Sequence, residues 1–435
     1  MIFSDQIGII ADDLTGANDT ALQFQKRGAA TKILLDSNVI EETAQEQGVW
    51  ATSTESRNIS AEEAALKVHS AVSSIVSSLN IEHFYKKIDS TVRGNIAIET
   101  LAMLNTLDMD AAVIIPAFPA EGRITVGGYH LLKGVPIGRT EMAQDPHSPI
   151  MESHIPTMLK NQLGDNSNLV AHIELKTVMN GAGPILMKIN ELIKEGKKLI
   201  VADAISIVDI EQIILAINKS SYNILPTGTA AAATVLSEIW LPDNTNYVPQ
   251  VIPKLPKLII SGSATAINSN QIEKLKNTDE FDNVYEIALT QKIVIDGVSD
   301  EMVDCIINNL GTYNTVLVHS SYLVDNFDGF SDDSLNAELT KNKFASMITD
   351  FLAELTQKVI SRVNVLLVTL GGETSYKCCR AIDAMELTLI DEVAPAIALC
   401  IDKKDQFIIT KSGNLGNSNT LVDIIKYINS HEQEL

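Results

Sequence analysis

Carboxylates and hydroxyls stand together where the first apolar run of the chain ends. The run Ile7–Ala11 is followed directly by Asp12, Asp13, Leu14, Thr15 and Gly16. Ligands of open α/β sheets bind where a strand ends and a helix begins, and carboxylates there can serve as a general base or orient a hydroxyl. Asp13 is the candidate catalytic base and, with Asp12, a candidate substrate contact. The simpler alternative is that Asp13 or Thr15 only caps the helix.

Charged side chains also crowd the end of a second apolar run, His83–Ile88. Lysine and arginine beside hydroxyls and helix-entry amides suit a carboxylate or a phosphate. A capped helix with solvated charges is the alternative. Arg57, which ends the polar stretch 53–57, is a weaker candidate on its own. The substrate-binding candidates of the second run are Lys87, Asp89, Ser90 and Arg93.

A proline-punctuated segment after the run Ala111–Pro116 predicts a long functional loop. Loops of this length inside compact domains are usually functional or disordered, and the apolar and aromatic content favours function. Arg123 and Arg139 are the cations that could bind an anion there. Ordinary surface charge is the alternative for both.

Glycines and hydroxyls end three apolar runs in the second half of the chain. Glycine lets a ligand approach the backbone, and a helix N-terminus favours phosphate. One such turn is ordinary turn chemistry, but three together indicate a nucleotide-phosphate pocket. The candidate ATP contacts are Ser261, Ser263, Gly371, Gly372, Glu373, Thr374, Lys411, Gly413 and Gly416.

Composition and missing patterns exclude several classes of protein. The formal net charge of -22 disfavours nucleic acid and anionic membrane as partners. The chain has neither GxxxxGK[ST] nor a GxGxxG after its first strand, which argues against P-loop enzymes and Rossmann dehydrogenases. Four cysteines without CxxC spacing predict reduced thiols and no zinc site. Without a signal peptide or an apolar stretch of spanning length, the protein is expected to be cytoplasmic.

Alternation of short apolar runs with amphipathic segments predicts two three-layer α/β domains with mainly parallel sheets and an active-site cleft between them. We expect an acid-binding domain at 1–225, an interdomain crossing at 226–256, where prolines cluster, and a nucleotide-binding domain at 257–435. Further predicted strands are Thr31–Leu35, Lys198–Ala202, Leu258–Ser261, Thr315–His319, Val363–Thr369 and Phe407–Thr410. Predicted helices are Ala61–Ser78, Ile96–Leu107, Ile185–Lys194, Asp209–Ile217, Ala345–Ser361 and Leu421–Asn429.

Taken in order, these motifs resemble the four-carbon acid sugar kinase family over essentially the whole chain. The resemblance rests on the segments 11–17, 87–95, 119–123, 371–375 and 411–416. It implies ATP, bound as its magnesium complex, as the phosphoryl donor to the terminal (4-) hydroxyl of threonate, erythronate or 3-oxo-tetronate. It assigns Asp12, Asp13, Arg57, Lys87, Asp89 and Arg93 to the acid sugar, and Ser263, the 371–374 turn and the Lys411 loop to ATP.

Two departures from the family pattern concern the nucleotide side. Ala396 stands where relatives usually carry glycine, which is expected to alter a wall of the nucleotide pocket, and Ser263-Ala264-Thr265 replaces the usual Ser-Cys-Ser. A non-catalytic sensor of sugar acid and nucleotide, or another sugar-acid enzyme such as an aldolase or dehydrogenase, remains the alternative function. The sequence does not name metal ligands, and a homo-oligomer stays open.

Overall fold

The computed structural model describes residues 6–37, 48–144, 148–241, 251–278, 284–321, 323–324 and 340–433. The chain divides into two compact units, Met1–Tyr247 and Val248–Leu435. Part of the predicted crossing, 242–250, lies outside the described residues.

The first unit alternates strands and helices, as predicted. Its strands are β1 (Ile7–Ala11), β2 (Thr31–Leu34), β3 (Val49–Ser53), β4 (His83–Lys87), β5 (Ala111–Ile115), β6 (Arg123–Val126), β7 (Tyr129–Leu132), β8 (Val135–Pro136), β9 (Val170–Ile173), β10 (Leu199–Ala202) and β11 (Ile224–Gly228). Its helices are α1 (Leu14–Gln25), α2 (Ala61–Ser78), α3 (Ile96–Leu107), α4 (Ile155–Leu163), α5 (Leu175–Val178), α6 (Ala182–Lys194), α7 (Ile207–Asn218) and α8 (Ala230–Trp240).

Eight of these strands form one parallel sheet in the order β2-β3-β1-β4-β11-β5-β10-β9. Helices α2, α3 and α4 pack together over one face, where Ile10, Ile114 and Val201 point into a shared apolar core. Helices α1, α8, α7, α6 and α5 form a second contiguous layer. Because parallel strands are covered on both faces, their apolar runs are continuous rather than alternating, which is why the sequence predicted them well.

The second unit has the same general plan. Its strands are β12 (Ile252–Pro253), β13 (Lys257–Ser261), β14 (Tyr285–Ala288), β15 (Thr315–His319), β16 (Leu366–Leu370), β17 (Glu386–Ala394), β18 (Ile397–Asp402), β19 (Phe407–Lys411) and β20 (Glu432–Gln433). Its helices are α9 (Ala266–Lys276), α10 (Gln291–Asp296), α11 (Asp300–Tyr313), α12 (Lys341–Ile360), α13 (Gly372–Ala381) and α14 (Thr420–His431).

The sheet of the second unit runs in the order β14-β15-β13-β16-β19-β18-β17. Strands β14, β15, β13, β16 and β19 are parallel, whereas β18 and β17 are antiparallel to their neighbours. Helices α9 and α14 pack on one face over an apolar core that includes Ile259 and Val368, and α12 contacts α11 and α13. The central strands β13, β16 and β19 therefore bring their carboxyl ends to one edge.

Two predictions about irregular segments differ from the structure. The segment after β5, predicted as a long loop, contains the three-stranded antiparallel sheet β6-β7-β8. Residues 224–240 form β11 and α8 of the first unit, although 226–256 was predicted as a crossing. Pro226 suggested a linker, yet β4 pairs with β11 only at Thr227 and Gly228, so the proline interrupts no pairing with that neighbour.

All four cysteines are free thiols. Among the described residues, no helix combines the length and apolar character required to cross a membrane.

Candidate functional site

The carboxyl end of β1 places Asp12 and Asp13 at the start of α1. Asp13 is the N-cap of this helix, since its Oδ1 accepts the Gly16 N–H at 2.7 Å. Asp13 therefore caps the helix, as the simpler alternative predicted. Capping is not its only contact, because its Oδ2 lies 2.6 Å from Arg57 Nη1. The Asp13 side chain is 18% exposed and that of Asp12 only 3%. Asp13 is thus the carboxylate of this pair that a ligand can reach.

Arg57 ties the carboxylates of the first unit together. Its Nε donates to Asp12 Oδ2 at 2.7 Å and its Nη2 to Asp12 Oδ1 at 3.1 Å, which is a bidentate pair. Its Nη2 also lies 3.7 Å from Asp89 Oδ1. A planar guanidinium with five donors suits this bridging role better than an ammonium. Arg57, a weak candidate from sequence, therefore connects all three aspartates.

Asp89 forms the second half of this cluster, at the end of β4. Arg93 Nε donates to Asp89 Oδ2 at 2.9 Å, and the Thr91 hydroxyl donates to the same oxygen. Between them, Val92 is held at φ +60°. This left-handed backbone is a genuine outlier for a β-branched residue, and such outliers cluster at functional sites where surrounding contacts hold them in place.

The charges of the cluster determine its ionisation. Burial opposes the ionisation of Asp89, but the attraction of Arg93 and Arg57 outweighs it and holds its pKa well below the ordinary value. The same balance lowers the pKa of Asp12, where burial is opposed mainly by Arg57. The two aspartates are therefore ionised acceptors at neutral pH. Burial and the neighbouring Asp13 charge instead raise the pKa of Glu55 to about 7.

Lys87 and Ser90 lie at the same strand end as Asp89. The Lys87 side chain is buried, and its ammonium donates to the Ile88 carbonyl at 3.0 Å. A Cβ at position 16 would lie 3.1 Å from Lys87 Nζ, so this ammonium packs on the first turn of α1. Ser90 is half-buried, and its carbonyl contacts the ring of His130.

Arg123 and Arg139 lie in the antiparallel region after β5. Arg123 begins β6, and its Nη1 is 3.7 Å from Glu121. Arg139 ends a short 3-10 turn. The contacts of neither residue join it to the aspartate cluster, in contrast to those of Arg57 and Arg93.

In the second unit, the predicted glycine and hydroxyl turns converge after β13, β16 and β19. A Cβ at Gly413 would lie 2.2 Å from Ser263 Oγ, so these two turns touch. Gly371 has φ +114° and lies beside Thr374 and Ser263. Side chains would not fit where these backbones approach each other, which leaves N–H groups and hydroxyls to line the edge.

Lys411 is the cation of this edge. It is fully buried, and its Nζ donates to the Ser412 carbonyl at 2.7 Å. It forms no ion pair with a residue that the structure describes. Burial lowers its pKa to about 8. An anion bound here would restore the charge that burial disfavours.

The remaining nucleotide candidates, Gly372, Glu373, Ser261 and Gly416, lie in or beside the same three turns. Gly372 begins α13 next to Gly371, while the Glu373 carboxylate turns to Lys377 at 3.0 Å. Ser261 is buried, and its Oγ accepts from Asn268 at 2.7 Å. Gly416, at φ +85°, packs on Thr420 at the turn before α14.

Sequence reasoning missed several supporting residues. Glu55 accepts the Leu14 N–H at 2.9 Å and so shares the α1 N-terminus with Asp13. Gln271 donates to the Leu415 and Asn417 carbonyls and so holds the loop after Lys411. His130, on β7, is fully buried, and burial lowers its pKa to about 4. The available signal was a polar residue at a position that periodicity assigns to the buried face, as for Gln271 on α9.

No group of three or more His, Cys, Asp or Glu side chains suited to a metal ion occurs within the described part of the chain. Magnesium commonly keeps several waters and is held through substrate phosphates and one or two carboxylates. A preformed protein cage is therefore not required for a magnesium–nucleotide complex.

Comparison with known proteins gives the same division of the chain. Residues 7–236 match the family model of a sugar-binding N-terminal domain, and residues 258–421 match that of a nucleotide-binding C-terminal domain. The chain is 29% identical to the D-erythronate kinase of Heliobacterium modesticaldum, over 97% of this chain and 96% of that protein. It is also 29% identical to the D-threonate kinase of Salmonella typhimurium, over 97% of each.

A solved Haemophilus influenzae structure has the same fold. The alignment has a TM-score of 0.73 at 21% identity and covers 97% of this chain and 99% of that one. The plan of strands and helices is therefore kept where most side chains differ.

Proposed function

The chain belongs to the four-carbon acid sugar kinase family, and we propose that it transfers the terminal phosphoryl group of ATP to the 4-hydroxyl of a four-carbon sugar acid. D-threonate and D-erythronate are the first candidate acceptors, because the relatives named above are kinases for these acids. The observation that carries the proposal is the pair of strand-end sites, with paired aspartates in one unit and glycines, hydroxyls and a buried lysine in the other.

In this proposal the first unit binds the acid sugar. Ionised aspartates held by arginines can accept hydrogen bonds from sugar hydroxyls without rearranging, since their positions are already fixed. Asp13 is the proposed base, because it is the more exposed aspartate at the end of β1 and Oδ2 retains lone pairs beyond its contact with Arg57. It would orient the 4-hydroxyl and take its proton late in the transfer.

The second unit binds the nucleotide in this proposal. Backbone N–H groups at the start of α13 and the hydroxyls of Ser263 and Thr374 suit phosphate oxygens, and Lys411 supplies the positive charge. Magnesium bound to the phosphates would neutralise charge on the transferred group. Phosphoryl transfer needs mainly alignment and charge stabilisation, which such a site provides.

The test is release of ADP from ATP in the presence of D-threonate, D-erythronate and 3-oxo-tetronate, each with the uncharged four-carbon polyol as control. We expect sugar-dependent release with at least one acid. Asp13→Asn should lower kcat by about 10²–10⁴-fold while leaving substrate binding largely intact. ADP release that no sugar acid stimulates would refute the proposed activity. A normal kcat with a raised KM in the variant would make Asp13 a binding residue and direct the search for the base to Asp89 or Asp12.

A further inference from the structure

The basic side chains Arg57, Arg93 and Lys87 of the first unit differ in whether they already contact carboxylates. Arg57 contacts the carboxylates of Asp12, Asp13 and Asp89, and Arg93 contacts Asp89. An acid sugar that bound either guanidinium through its own carboxylate would compete with aspartates already in place. Losing a buried charged partner costs several kcal/mol. The arginines are therefore poorly placed to be the main anchor of a further anion.

Lys87 is in the opposite situation. Its side chain is only 4% exposed, and it forms no ion pair with any residue in the described ranges. Its hydrogen bond to the Ile88 carbonyl, at 3.0 Å, uses one of the three donors of an ammonium. The Lys87 charge helps to lower the pKa of the buried Asp12 carboxylate, but the ammonium forms no direct ion pair, and a bound anion would give this buried charge one.

Two further features meet at the place where this ammonium lies. It packs against Gly16 in the first turn of α1, a helix of 12 residues, where Asp13 accepts the Gly16 N–H and Glu55 the Leu14 N–H. Thr15, in the same turn, is nine-tenths buried, and its hydroxyl has no hydrogen-bond partner among the described residues. Buried hydroxyls are nearly always hydrogen-bonded in complete structures. A buried hydroxyl without a partner in the helical turn on which a buried ammonium packs therefore indicates an anionic oxygen ligand.

We propose that the carboxylate of the acid sugar binds at the N-terminus of α1, on the Lys87 ammonium and the Thr15 hydroxyl, while Arg57 and Arg93 hold the three aspartates. This inference rests on the proposed function and names the subsite of the same substrate. The aspartates are then left to accept the sugar's hydroxyl groups. The enzyme's selectivity for acids over neutral polyols would come from one lysine.

The experiment compares each accepted sugar acid with its neutral primary amide, using the ratio of their kcat/KM values. This ratio isolates recognition of the negative charge, because the rest of the substrate is unchanged. The full-length wild-type enzyme should prefer the acid by about 30- to 1,000-fold, which lies within the range known for desolvated charge pairs. In Lys87→Met this preference should fall to about threefold or less, whereas Arg93→Gln should keep it even where overall activity drops.

Two variants complete the design. Thr15→Val removes the hydroxyl at nearly constant volume and should lower the preference by about 10-fold, as for a hydrogen bond to a charged group. Lys160→Met removes an exposed lysine of α4 and should leave the preference unchanged. Denaturant unfolding of each full-length variant shows whether its first unit is folded, and if Lys87→Met does not fold, Thr15→Val decides.

The inference is overturned if folded Lys87→Met retains the preference, if Arg93→Gln loses as much of it, or if the wild type does not distinguish acid from amide. These outcomes differ from a failure of the proposed function, in which the wild type releases no ADP with any four-carbon acid.

Discussion

The two strand-end sites differ in how their charges are balanced. In the first unit, Arg57 and Arg93 are matched with three aspartates at distances of 2.6 to 3.7 Å. In the second unit, the edge formed by the turns at Ser263, Gly371 and Gly413 has one buried cation, Lys411, without an acidic partner within the described residues. Apart from Lys87, the first site balances its charges without a ligand, whereas the second site does not.

Under the proposed function, this difference would determine how each site obtains specificity for its ligand. A network that is already satisfied holds its acceptors rigidly and suits recognition of neutral hydroxyls by geometry. A site with a single desolvated ammonium gains most from a ligand that carries the missing charge, as a polyphosphate does. The comparison can be tested by removing one cation from each site.

Removing Arg57 should have the largest effect on stability. Arg57→Met leaves buried Asp12 without its bidentate partner and exposes Asp89 and Asp13 to mutual repulsion. We expect the free energy of unfolding to fall by about 3–5 kcal/mol, as when one partner of a buried ion pair is deleted. Denaturant unfolding measures it. The matched control is Arg362→Met, which breaks the exposed pair with Asp304 and should cost at most about 1 kcal/mol. An equal loss in both variants would contradict the idea of a charge-balanced network.

Removing Lys411 should weaken ATP binding rather than stability. Lys411→Met deletes a buried charge without a counterion, so stability should be kept or rise, while the Kd for ATP should rise by about 30- to 1,000-fold. Because the pKa of Lys411 is lowered to about 8, the free site is charged below pH 8 and loses its charge above it. ATP affinity of the wild type should therefore decline as the pH rises past 8.

Calorimetric titration with ATP at several pH values tests both parts of this prediction, with Lys411→Arg as the control that stays protonated throughout. Unchanged ATP affinity in folded Lys411→Met would show that this lysine does not bind the nucleotide.

The third prediction uses His130, which supports only the first site, through the Ser90 carbonyl. Burial lowers its pKa from 6.5 to about 4, so the unfolded chain binds a proton that the folded chain does not. Its contribution to stability is complete above pH 6.5 and is lost as the pH falls towards 4, by about 2–3 kcal/mol. The raised pKa of Glu55 acts in the opposite direction between pH 4.5 and 7.

The test is therefore the difference in unfolding free energy between the wild type and His130→Gln at each pH, since the contribution of Glu55 cancels in that difference. The destabilisation caused by His130→Gln should shrink as the pH falls. A constant difference from pH 4 to 7 would show that His130 titrates normally.

The smallest predicted effect concerns backbone strain in the second unit. Ala396 occupies φ +61° in the turn between β17 and β18, after Pro395, as in a type II turn that favours glycine. Ala396→Gly should raise the free energy of unfolding by about 0.5 kcal/mol. Glycine removes the strain of an alanine in the left-handed region, and this gain exceeds the loss caused by the greater conformational entropy of the unfolded chain. Ala398→Gly, in extended β18, is the control and should destabilise. Thermal unfolding compares the stabilities of the two variants, and a loss of stability in Ala396→Gly would show that Ala396 is not strained.

Much of the fold could be read from the sequence because both sheets are mainly parallel. Strands Ile7–Ala11 and Thr315–His319 and helices Ala61–Ser78 and Ile96–Leu107 have the predicted bounds. Helix α2 also carries its signal locally, since Ser60 and Glu63 form a capping box. The antiparallel strands β6, β7 and β8 were not predicted because they are short and partly exposed, so they leave weak apolar runs. Strands β17 and β18 were not predicted either, although they are longer and largely buried.

The sequence by itself determined which residues could do chemistry. Polar side chains that directly follow buried strands identified Asp12, Asp13, Lys87, Asp89 and Lys411, because parallel strands end at a common edge wherever their order places them. Residue type and position along one element are local properties, and a single chain shows them.

Only the tertiary structure decided how these residues are paired. Lys87 and Arg93 are six positions apart and both cationic, yet Arg93 pairs with Asp89, whereas Lys87 forms no ion pair within the described chain. Arg57 became the centre of the first site because β3 lies beside β1, which brings residues 45 apart in sequence into bidentate contact. Electrostatic energy depends on distances of a few ångströms and on burial, and both arise only when the strands are ordered in the sheet.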